Sequence, residues 1–481
     1  MAMMQTSDMP TRISAEQHGR ANQKINNGTI HHQQRTSSSG RQEKDLDERF
    51  SAIAAKMYAE GLPAALVKTF RRYYAQLLAG ETGTIPSEQA LAVCALPKAE
   101  SLRKYHQAGM AALSQTVMIK LNGGLGTTMG LAGPKSLIPI KEGHSFLDII
   151  VQQVLHMRQQ HDVELPLLFM NSFNTEAATA AALAAYPELT QPIPLSFRQH
   201  KVPKLRQEDF TAIDWPDDTE KEWCPPGHGN LYLALYTSGL LKELLEQGYE
   251  YAFISNVDNL GATLDLDLLG YIAENAIPFL MEVAARTVAD RKGGHLAQDA
   301  NQRLILREIA QCPPEEIELF QDTKRYSYFN TNNIWLNLQA LDKLLQQREG
   351  ILDLPLIRNA KTVDATDENS PAVYQLETAM GQAISLFSEA HAVEVPRTRF
   401  LPVKDTGDLL ALRSDLYLLD ESYRIQPNPA RQIDDTIVIE LDPAYYRTLA
   451  QFEEHFPDGV PSLVNCRRLS IEGEIYFLLS K

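Results

Sequence analysis

The sequence has few cysteines, no long apolar run and no excess of basic residues. Its four cysteines, Cys94, Cys224, Cys312 and Cys466, are widely separated and show no C-x-x-C spacing. This pattern excludes a disulfide framework and the usual zinc sites. No run approaches the roughly 18 apolar residues of a membrane span. The N-terminus lacks the charged region and the apolar core of a secretory signal. We therefore expect a cytoplasmic protein with no membrane partner.

The balance of charge disfavours nucleic acid as a partner. The 61 acidic residues outnumber the 45 Lys and Arg residues, and the formal net charge is −16. Proteins that bind nucleic acid carry clustered excess basic charge. An anionic small molecule would therefore have to meet a local positive pocket in this protein.

The N-terminal part of the chain has two different compositions. Residues 1–45 are rich in Ser, Gln, Asn, His and Thr and nearly lack aromatic and branched apolar residues. Such a segment buries too little surface to offset the entropy of ordering, so we expect a disordered tail. From residue 46 to residue 112, apolar residues such as Phe50, Ile53 and Met57 recur at helical spacing. This spacing predicts an N-terminal helical segment.

A glycine-rich run follows residues 116–122. These residues are largely apolar, which predicts a buried strand. Gly123, Gly124 and Gly126 interrupt this strand. Glycines remove side chains and allow backbone N–H groups to approach a phosphate or a nucleotide base closely. The run therefore indicates a loop that binds a nucleotide.

Two known phosphate loops do not fit this run. A P-loop has Gly directly before Lys-Ser, but Pro134 separates Gly133 from Lys135 and removes a needed N–H group. Gly126 and Gly130 are separated by three residues, whereas the dinucleotide fingerprint needs two. A loop that uses its glycines only for turns is a further alternative, although the cationic Lys135 argues against it.

Strand-like and helix-like segments alternate after the glycine run. Residues 251–255 predict a strand, and residues 230–246, 266–274 and 405–419 predict helices. Such alternation is typical of a mainly parallel sheet with helices on both faces, whose ligands bind at the carboxyl ends of the strands. The glycine loop and residues 256–258, Asn-Val-Asp, both follow strands. We therefore expect them to lie in one cleft.

Asparagines cluster at residues 330–333, which read Asn-Thr-Asn-Asn between apolar neighbours. Buried amides need hydrogen-bonding partners. These side chains therefore form turn hydrogen bonds or bind a hydroxylated ligand such as a sugar. The residues alone leave both alternatives open.

A family resemblance rests on several motifs in a fixed order. Residues 120–127 read KLNGGLGT and residues 133–137 read GPKSL. They are similar to the nucleotide-binding signature of the eukaryotic-type UTP–glucose-1-phosphate uridylyltransferases, also named UDP-glucose pyrophosphorylases. The resemblance continues in shorter motifs at residues 170–175, 225–229, 255–263, 329–333, 375–378 and 400–404. It extends over roughly residues 45–440.

The resemblance implies an α/β fold with a Rossmann-like, mainly parallel sheet of the nucleotidyltransferase type. The catalytic domain, which binds nucleotide and sugar, would span residues 113–408. Residues 409–481 would form a linker helix and a left-handed β-helix, which is short because the chain stops soon after Gly473. A short β-helix offers little interface, so we expect a monomer or a small homo-oligomer.

The resemblance also implies the reaction and its cofactor. The family converts UTP and α-D-glucose 1-phosphate to UDP-glucose and pyrophosphate with Mg²⁺, by in-line attack on the α-phosphorus. Because the attacking phosphate oxygen is already ionised, the protein needs positioning and cations more than a base. By the resemblance, Lys135 and Lys404 are the catalytic cations. Asp258, a hard oxygen ligand, would hold the magnesium.

The same resemblance assigns the substrate contacts. Nucleotide contacts fall on Leu121, Asn122, Gly123, Gly124, Lys135, Gln199, Gly227, Asp258 and Lys404. Sugar-phosphate contacts fall on His228, Asn256, Val257, Asp258, Asn332 and Asn333. Spacing alone does not assign these roles, because a histidine between glycines is also typical of a turn and an aspartate is also typical of a cap.

Other functions stay open at this point. A pyrophosphorylase of broader sugar range is one alternative, because galactose 1-phosphate and N-acetylhexosamine 1-phosphates differ little from glucose 1-phosphate. A non-catalytic nucleotide-binding protein would keep the glycines but has no need of Lys135, Asp258 and Lys404 together. An NAD-dependent oxidoreductase needs a glycine spacing that the sequence does not have.

Overall fold

Helices and strands alternate through most of the chain. The structure is a computed structural model and describes residues 30–131, 133–287, 290–364, 367, 369–433 and 437–478, with side chains from residue 43 onward. The helices are α1 (Ile30–Ala59), α2 (Ala64–Leu78), α3 (His106–Ala112), α4 (Phe146–His161), α5 (Glu176–Leu183), α6 (Leu231–Thr237), α7 (Leu240–Glu246), α8 (Leu266–Glu274), α9 (Ile317–Phe320), α10 (Leu338–Gln347), α11 (Thr406–Arg413), α12 (Pro443–Tyr446) and α13 (Leu449–His455). None of these described helices has the length and hydropathy that crossing a membrane requires.

The strands range from two-residue pairs to the ten residues of β14. They are β1 (Leu91–Ala92), β2 (Thr116–Asn122), β3 (Pro139–Lys141), β4 (His144–Ser145), β5 (Leu167–Asn171), β6 (Ser196–Arg198), β7 (Val202–Pro203), β8 (Leu205–Arg206), β9 (Trp223–Cys224), β10 (Tyr251–Asn256), β11 (Phe279–Ala285), β12 (His295–Gln298), β13 (Leu304–Arg307), β14 (Tyr328–Asn337), β15 (Ile357–Thr362), β16 (Ala372–Glu377), β17 (His391–Val395), β18 (Tyr417–Leu419), β19 (Ile425–Pro427), β20 (Val438–Leu441) and β21 (Arg468–Ile471).

A ten-stranded sheet organises the described structure. Its main path is β1-β12-β14-β10-β2-β5-β6, with β11 between β14 and β17 and with β13 beside β12. β2, β5, β6 and β10 pair in parallel, and so do β11 and β17. β14 is antiparallel to β10, β11 and β12, so these three strands share one direction. With their parallel partners, seven strands run this way: β2, β5, β6, β10, β11, β12 and β17. The prediction of an α/β fold with a mainly parallel sheet is confirmed.

Both faces of this sheet are covered, because successive residues of β2 point to opposite sides. Val117 and Ile119 join a core that includes residues of α6, α7 and α10. Met118 joins a second core, which includes residues of α4 and α8. A strand buried on both faces explains the nearly continuous apolar run before the glycine loop.

Two predicted helices are shorter than the sequence pattern indicated. The helix predicted at residues 230–246 is divided at Gly239, whose φ of 79° is left-handed and interrupts the helix between α6 and α7. The helix predicted at residues 405–419 ends at Arg413, and residues 417–419 form β18, which pairs with β19. There, pairing with a neighbouring strand outweighs the local helical pattern.

The C-terminal part contains a small parallel sheet. β20 pairs with β21 from Val438 opposite Arg468 to Leu441 opposite Ile471. Helices α12 and α13 lie between these strands in the chain. Neighbouring coils of a β-helix have this type of pairing, and the β-helix itself stays a prediction.

The chain divides into two compact units, Met1–Arg49 and Phe50–Lys481. The predicted tail lies partly outside the described residues, and residues 30–45 lie in α1, where the composition predicted disorder. Residues such as Gln, Arg and Lys extend a helix readily once a first turn exists. The segment at residues 46–112 is largely helical, but its strand β1 pairs with β12 of the sheet. The predicted boundaries after residues 112 and 408 stay predictions.

Helices α3 and α8 pack in direct backbone contact through two glycines. A Cβ atom on Gly270 would lie 1.9 Å from Tyr105 O, and one on Gly109 would lie 1.8 Å from Leu266 O.

We expect Gly270→Ala to push the helices apart and to lower the free energy of unfolding by about 2 kcal/mol, although alanine favours helices. Urea unfolding measures this loss. Gly133→Ala is the control, because the added Cβ would meet no atom of the described residues within 4 Å. An unchanged urea midpoint for Gly270→Ala would contradict the close packing.

Candidate active site

A cleft of about 310 Å³ lies at the carboxyl ends of β2, β5 and β10. Pockets of this size hold small ligands. The cleft brings together ten of the fourteen predicted site residues. Glycine backbone, apolar side chains and a few polar or charged groups form its lining: Leu121, Gly123, Gly124, Lys135, Met170, Gln199, Pro225, Gly227, His228, Asn256, Val257, Asp258 and Glu377.

The register of β2 and β10 brings the glycine loop and the turn at residues 256–258 together. The two strands are parallel neighbours, with Leu121 opposite Asn256. The N–H of Val257 donates to Leu121 O at 3.1 Å, so the turn begins where the loop begins. Neighbouring parallel strands therefore present both segments to the same ligand.

The glycine loop closes on itself and returns Lys135 to its start. Leu125 and Pro134 form an antiparallel bridge, and the N–H of Lys135 donates to Gly124 O at 3.4 Å. Lys135 Nζ lies 2.7 Å from Asp258 Oδ2, with 16% and 18% of the two side chains exposed. This ion pair crosses the cleft between the loop and the turn and places one cation beside one carboxylate.

The absence of a side chain at Gly123 allows Gln199 to approach the loop. A Cβ on Gly123 would lie 2.2 Å from Gln199 Nε2, so a larger residue there would displace the amide. The N–H of Gln199 donates to Asn171 O at 2.8 Å, which holds the residue beside the loop. Its side chain offers both a donor and an acceptor in the cleft.

A glycine-flanked turn holds His228 in the cleft. A Cβ on Gly227, whose φ is +78°, would lie 2.4 Å from Thr378 O, and the N–H of Gly229 donates to that oxygen at 2.9 Å. The N–H of Met380 donates to His228 Nδ1 at 3.0 Å, so the neutral imidazole carries its proton on Nε2. Burial lowers the pKa of His228 to about 4. Near neutral pH the side chain is therefore an uncharged donor.

Lys404, the second predicted cation, lies at the end of a segment that we call the strap, residues 399–404. The N–H of the preceding residue donates to Asp258 O at 3.3 Å, so the strap runs beside the turn that carries Asp258. The ammonium group is exposed and lies 5.9 and 5.6 Å from the ring centres of Phe329 and Phe400. Lys404 does not line the cleft; its backbone places it next to the residues that do.

The asparagines of β14 divide between a buried network and a bulge. Asn333 is fully buried, and its amide donates to Glu282 Oε2 at 3.0 Å and to Arg399 O at 3.3 Å. Both N–H groups have partners inside the protein, and the sugar contact of Asn333 stays a prediction. Asn332 has a φ of 58° at the bulge and accepts a hydrogen bond from Asn330 Nδ2 at 2.9 Å. Asn332 does not line the cleft, and its sugar contact stays a prediction.

Two polar residues of the first motif point inward. Asn122 Nδ2 donates to Asn171 Oδ1 and to Thr179 Oγ1, both at 2.8 Å. The predicted nucleotide contact of Asn122 would therefore be made by its backbone groups. Lys120 Nζ donates to Ser255 Oγ at 2.7 Å, and burial lowers the pKa of Lys120 to about 7. These side chains hold the strand ends beneath the cleft.

Three cleft residues had no predicted role: Met170, Pro225 and Glu377. Each belongs to one of the motifs that carry the family resemblance, and this membership was the available signal. Burial raises the pKa of Glu377, although a hydrogen bond from Asn359 and the charge of Lys361 oppose the shift.

Asp258 supplies one carboxylate for a metal ion. Among the described residues, no group of three or more His, Cys, Asp or Glu side chains could hold a metal ion. A site with one carboxylate does not fit zinc, which needs three or four protein ligands. It does fit Mg²⁺, which is usually bound by one or two carboxylates together with substrate phosphates and water.

The sequence is similar to those of known proteins over most of its length. The family model described as UTP–glucose-1-phosphate uridylyltransferase matches residues 67–479. A probable UTP–glucose-1-phosphate uridylyltransferase of Schizosaccharomyces pombe is 42% identical over 365 residues, which cover 76% of this chain and 70% of the relative. The UTP–glucose-1-phosphate uridylyltransferase of Hordeum vulgare is 42% identical over 368 residues, which cover 76% of this chain and 75% of the relative.

Solved structures share the fold. A variant of UDP-glucose pyrophosphorylase from Leishmania major, in complex with UDP-glucose, is 44% identical with a TM-score of 0.82 and covers 88% of this chain and 90% of its own. A protein described as UDP-glucose phosphorylase from Trypanosoma brucei is 45% identical with a TM-score of 0.81, and the shares are 88% and 91%. Because these matches extend over most of the sequence and of the fold, the chain belongs to the UTP–glucose-1-phosphate uridylyltransferase family.

Proposed function

We propose that this protein transfers the uridylyl group of UTP to α-D-glucose 1-phosphate, which forms UDP-glucose and releases pyrophosphate. The proposal rests on the ion pair between Lys135 and Asp258, which are 2.7 Å apart in a glycine-lined cleft. The related protein of Leishmania major in complex with UDP-glucose supports the same ligand here.

The reaction needs stabilisation of charge more than a protein base. The attacking oxygen of the sugar phosphate is already ionised, and the five-coordinate phosphorus carries more negative charge on its oxygens than the ground state does. A cation held beside the α-phosphate therefore lowers the barrier more than it strengthens substrate binding. We assign this role to Lys135 from the glycine loop and to Lys404 from the strap.

Lys135 and Asp258 must exchange partners when the substrates bind. Each neutralises the other in the structure. We propose that Asp258 then holds Mg²⁺ while Lys135 turns to the α-phosphate. The bound ion would neutralise phosphate charge and orient the phosphate oxygens.

The other contacts follow from the chemistry of each side chain. Gln199 and residues 121–124 would bind the uracil and the ribose, with Gly227 beside the base. His228 would donate from Nε2 to the phosphate of glucose 1-phosphate without adding positive charge. Residues 256–257 would line both substrates, and Asn332 would bind a sugar hydroxyl.

We also infer a cytoplasmic protein that acts as a monomer or a small homo-oligomer, without nucleic acid. Its four cysteines are free thiols, as expected in a reducing compartment. We propose that residues 113–408 form the catalytic domain. The pair β20 and β21 would then belong to the left-handed β-helix.

The direct test is to follow pyrophosphate with UTP and a panel of sugar 1-phosphates. We expect release with glucose 1-phosphate in the presence of Mg²⁺ and its loss when EDTA is added. Galactose 1-phosphate and N-acetylglucosamine 1-phosphate are the comparison substrates. An equal or higher kcat/KM with either would contradict the proposed substrate, and no release with any sugar would indicate a non-catalytic nucleotide-binding protein.

Asp258→Asn should raise the Mg²⁺ concentration needed for half-maximal turnover and lower kcat by about a hundredfold. The thermal midpoint should also fall, because Lys135, whose side chain is only 16% exposed, keeps a hydrogen-bond acceptor but loses the charge that pairs with it. Asp267→Asn is the control, since it removes a carboxylate that pairs with His106 at 2.7 Å outside the cleft. A magnesium response equal to that of the parent would exclude Asp258 as the ligand.

Lys135→Ala and Lys404→Ala should each lower kcat by on the order of a hundredfold, because they remove charge that stabilises the transition state. His228→Ala and Asn332→Ala should instead raise the KM for glucose 1-phosphate, since they would contact a part of the substrate that does not react. Steady-state kinetics with both substrates varied separates the two effects. Lys242→Ala, which removes an exposed lysine of α7, should match the parent. Lysine variants with a normal kcat and a raised sugar KM would reverse these assignments.

A further inference from the structure

Asn259 is a buried residue without a role in the mechanism described so far. It directly follows Asp258, is 1% exposed and does not line the cleft. Its Nδ2 donates to Arg399 O at 3.1 Å and to Asn333 Oδ1 at 3.2 Å. Its Oδ1 accepts from the N–H of Leu401 at 2.8 Å. One amide therefore joins the turn that carries Asp258 to two residues of the strap.

The first residue of the strap is held firmly in the sheet. Arg399 forms a bidentate ion pair with Glu282 of β11, with Nε to Oε2 at 2.7 Å and Nη2 to Oε1 at 2.6 Å. Glu282 is fully buried and also accepts from Trp335 Nε1 at 2.8 Å. A buried bidentate pair fixes orientation as well as distance. The strap therefore starts from a rigid point.

Lys404, at the other end of the strap, depends on the backbone for its position. Its side chain is exposed, and its ammonium group lies beside the rings of Phe329 and Phe400. The N–H of Val403 donates to Asp258 O at 3.3 Å, which continues the contact that the Asn259 amide makes. Asp258 and Lys404 thus project from two neighbouring segments that these hydrogen bonds join, and the N–H of Lys404 also donates to Asp408 Oδ2 at 2.7 Å.

We propose that Asn259 is a positioning residue that sets the spacing between Asp258 and Lys404, and that uridylyl transfer depends on this spacing. The inference rests on the proposed function, since it takes both charged groups to act on one triphosphate. Preorganised charges lose effect when they move, and a displacement of about 1 Å can lower a rate by about a hundredfold. Removal of the amide would loosen the spacing while both charged groups stay present.

The test is a double-mutant cycle on the full chain with Asn259→Ala, Lys404→Ala and the combined variant. It measures kcat, both KM values and the thermal midpoint with UTP, Mg²⁺ and glucose 1-phosphate. We expect Asn259→Ala to lower kcat by about tenfold to a hundredfold with little change in the KM for glucose 1-phosphate. In the Lys404→Ala background the same substitution should change kcat by less than about twofold, because no ammonium group is left to position.

Gln191→Ala is the matched control, because the Gln191 amide also ties two segments together. It donates to Leu167 O and accepts from the Leu167 N–H, both at 3.0 Å, at the amino end of β5. This variant should lower the thermal midpoint and leave kcat unchanged. If Asn259 had a merely structural role, Asn259→Ala would likewise lower the thermal midpoint and leave kcat unchanged.

Asn259→Ser keeps a small hydroxyl group and replaces the alanine variant if the latter does not fold. It should lower kcat by less than the alanine variant does, and this loss should again disappear in the Lys404→Ala background. Losses that multiply in the combined variant, or a parental kcat in the Asn259 variant, would overturn the proposal. A parental kcat in Lys404→Ala would contradict the role of Lys404 in the proposed function and would overturn this proposal with it. The two failures are therefore distinguishable.

Discussion

The parallel register of β2 with β10 determines where both halves of the site can lie. Leu121 stands opposite Asn256, so the glycine loop and the turn with Asp258 leave the sheet at adjacent points. A slip of one residue would turn the buried side chains of Val117 and Ile119 to the opposite face. Because β2 is buried on both faces, the packing that stabilises the strand also fixes the geometry of the cleft.

Positive and negative charge in the cleft compensate each other within the protein. The protein carries a net charge of −16, and the cation that the cleft offers, Lys135, has a carboxylate partner at 2.7 Å. Neither member of this pair is left desolvated and unpaired, which would be costly. His228 adds a hydrogen-bond donor and no charge, because burial lowers its pKa to about 4. Phosphates and a divalent cation that enter together can therefore give Lys135 and Asp258 new partners of opposite charge.

Local patterns predicted the parts of the site that local sequence determines. The strand at residues 116–122, the glycines after it and the turn at residues 256–258 could be recognised because strand, loop and turn chemistry are readable over a few positions. All three contribute to the cleft. The division of the helix at Gly239 was missed, because a single glycine inside an apolar helical pattern can also be accommodated without a break.

Asn333 and Lys404 could not be placed in this way, because their positions depend on contacts between distant segments. Asn333 turns inward because Glu282 is buried beside it. The strap with Lys404 is held by an ion pair between Arg399 and Glu282, which are 117 residues apart in the chain. Such pairings have no local signature. The family motifs marked these segments as important without indicating which side chains reach the cleft.

The stereochemical course at the α-phosphorus distinguishes one displacement from a route through a covalent enzyme intermediate. The substrate is UTP with a single sulfur substitution that makes its α-phosphorus chiral, and the configuration of the UDP-glucose product is determined. We predict inversion, because glucose 1-phosphate would attack directly in a cleft that positions both substrates and whose described lining contains no hydroxyl or thiol side chain. The imidazole of His228 accepts from Met380 N–H at Nδ1 and carries its proton on Nε2, so it cannot attack phosphorus. Retention of configuration would contradict this, since it requires two displacements through a uridylyl–enzyme intermediate.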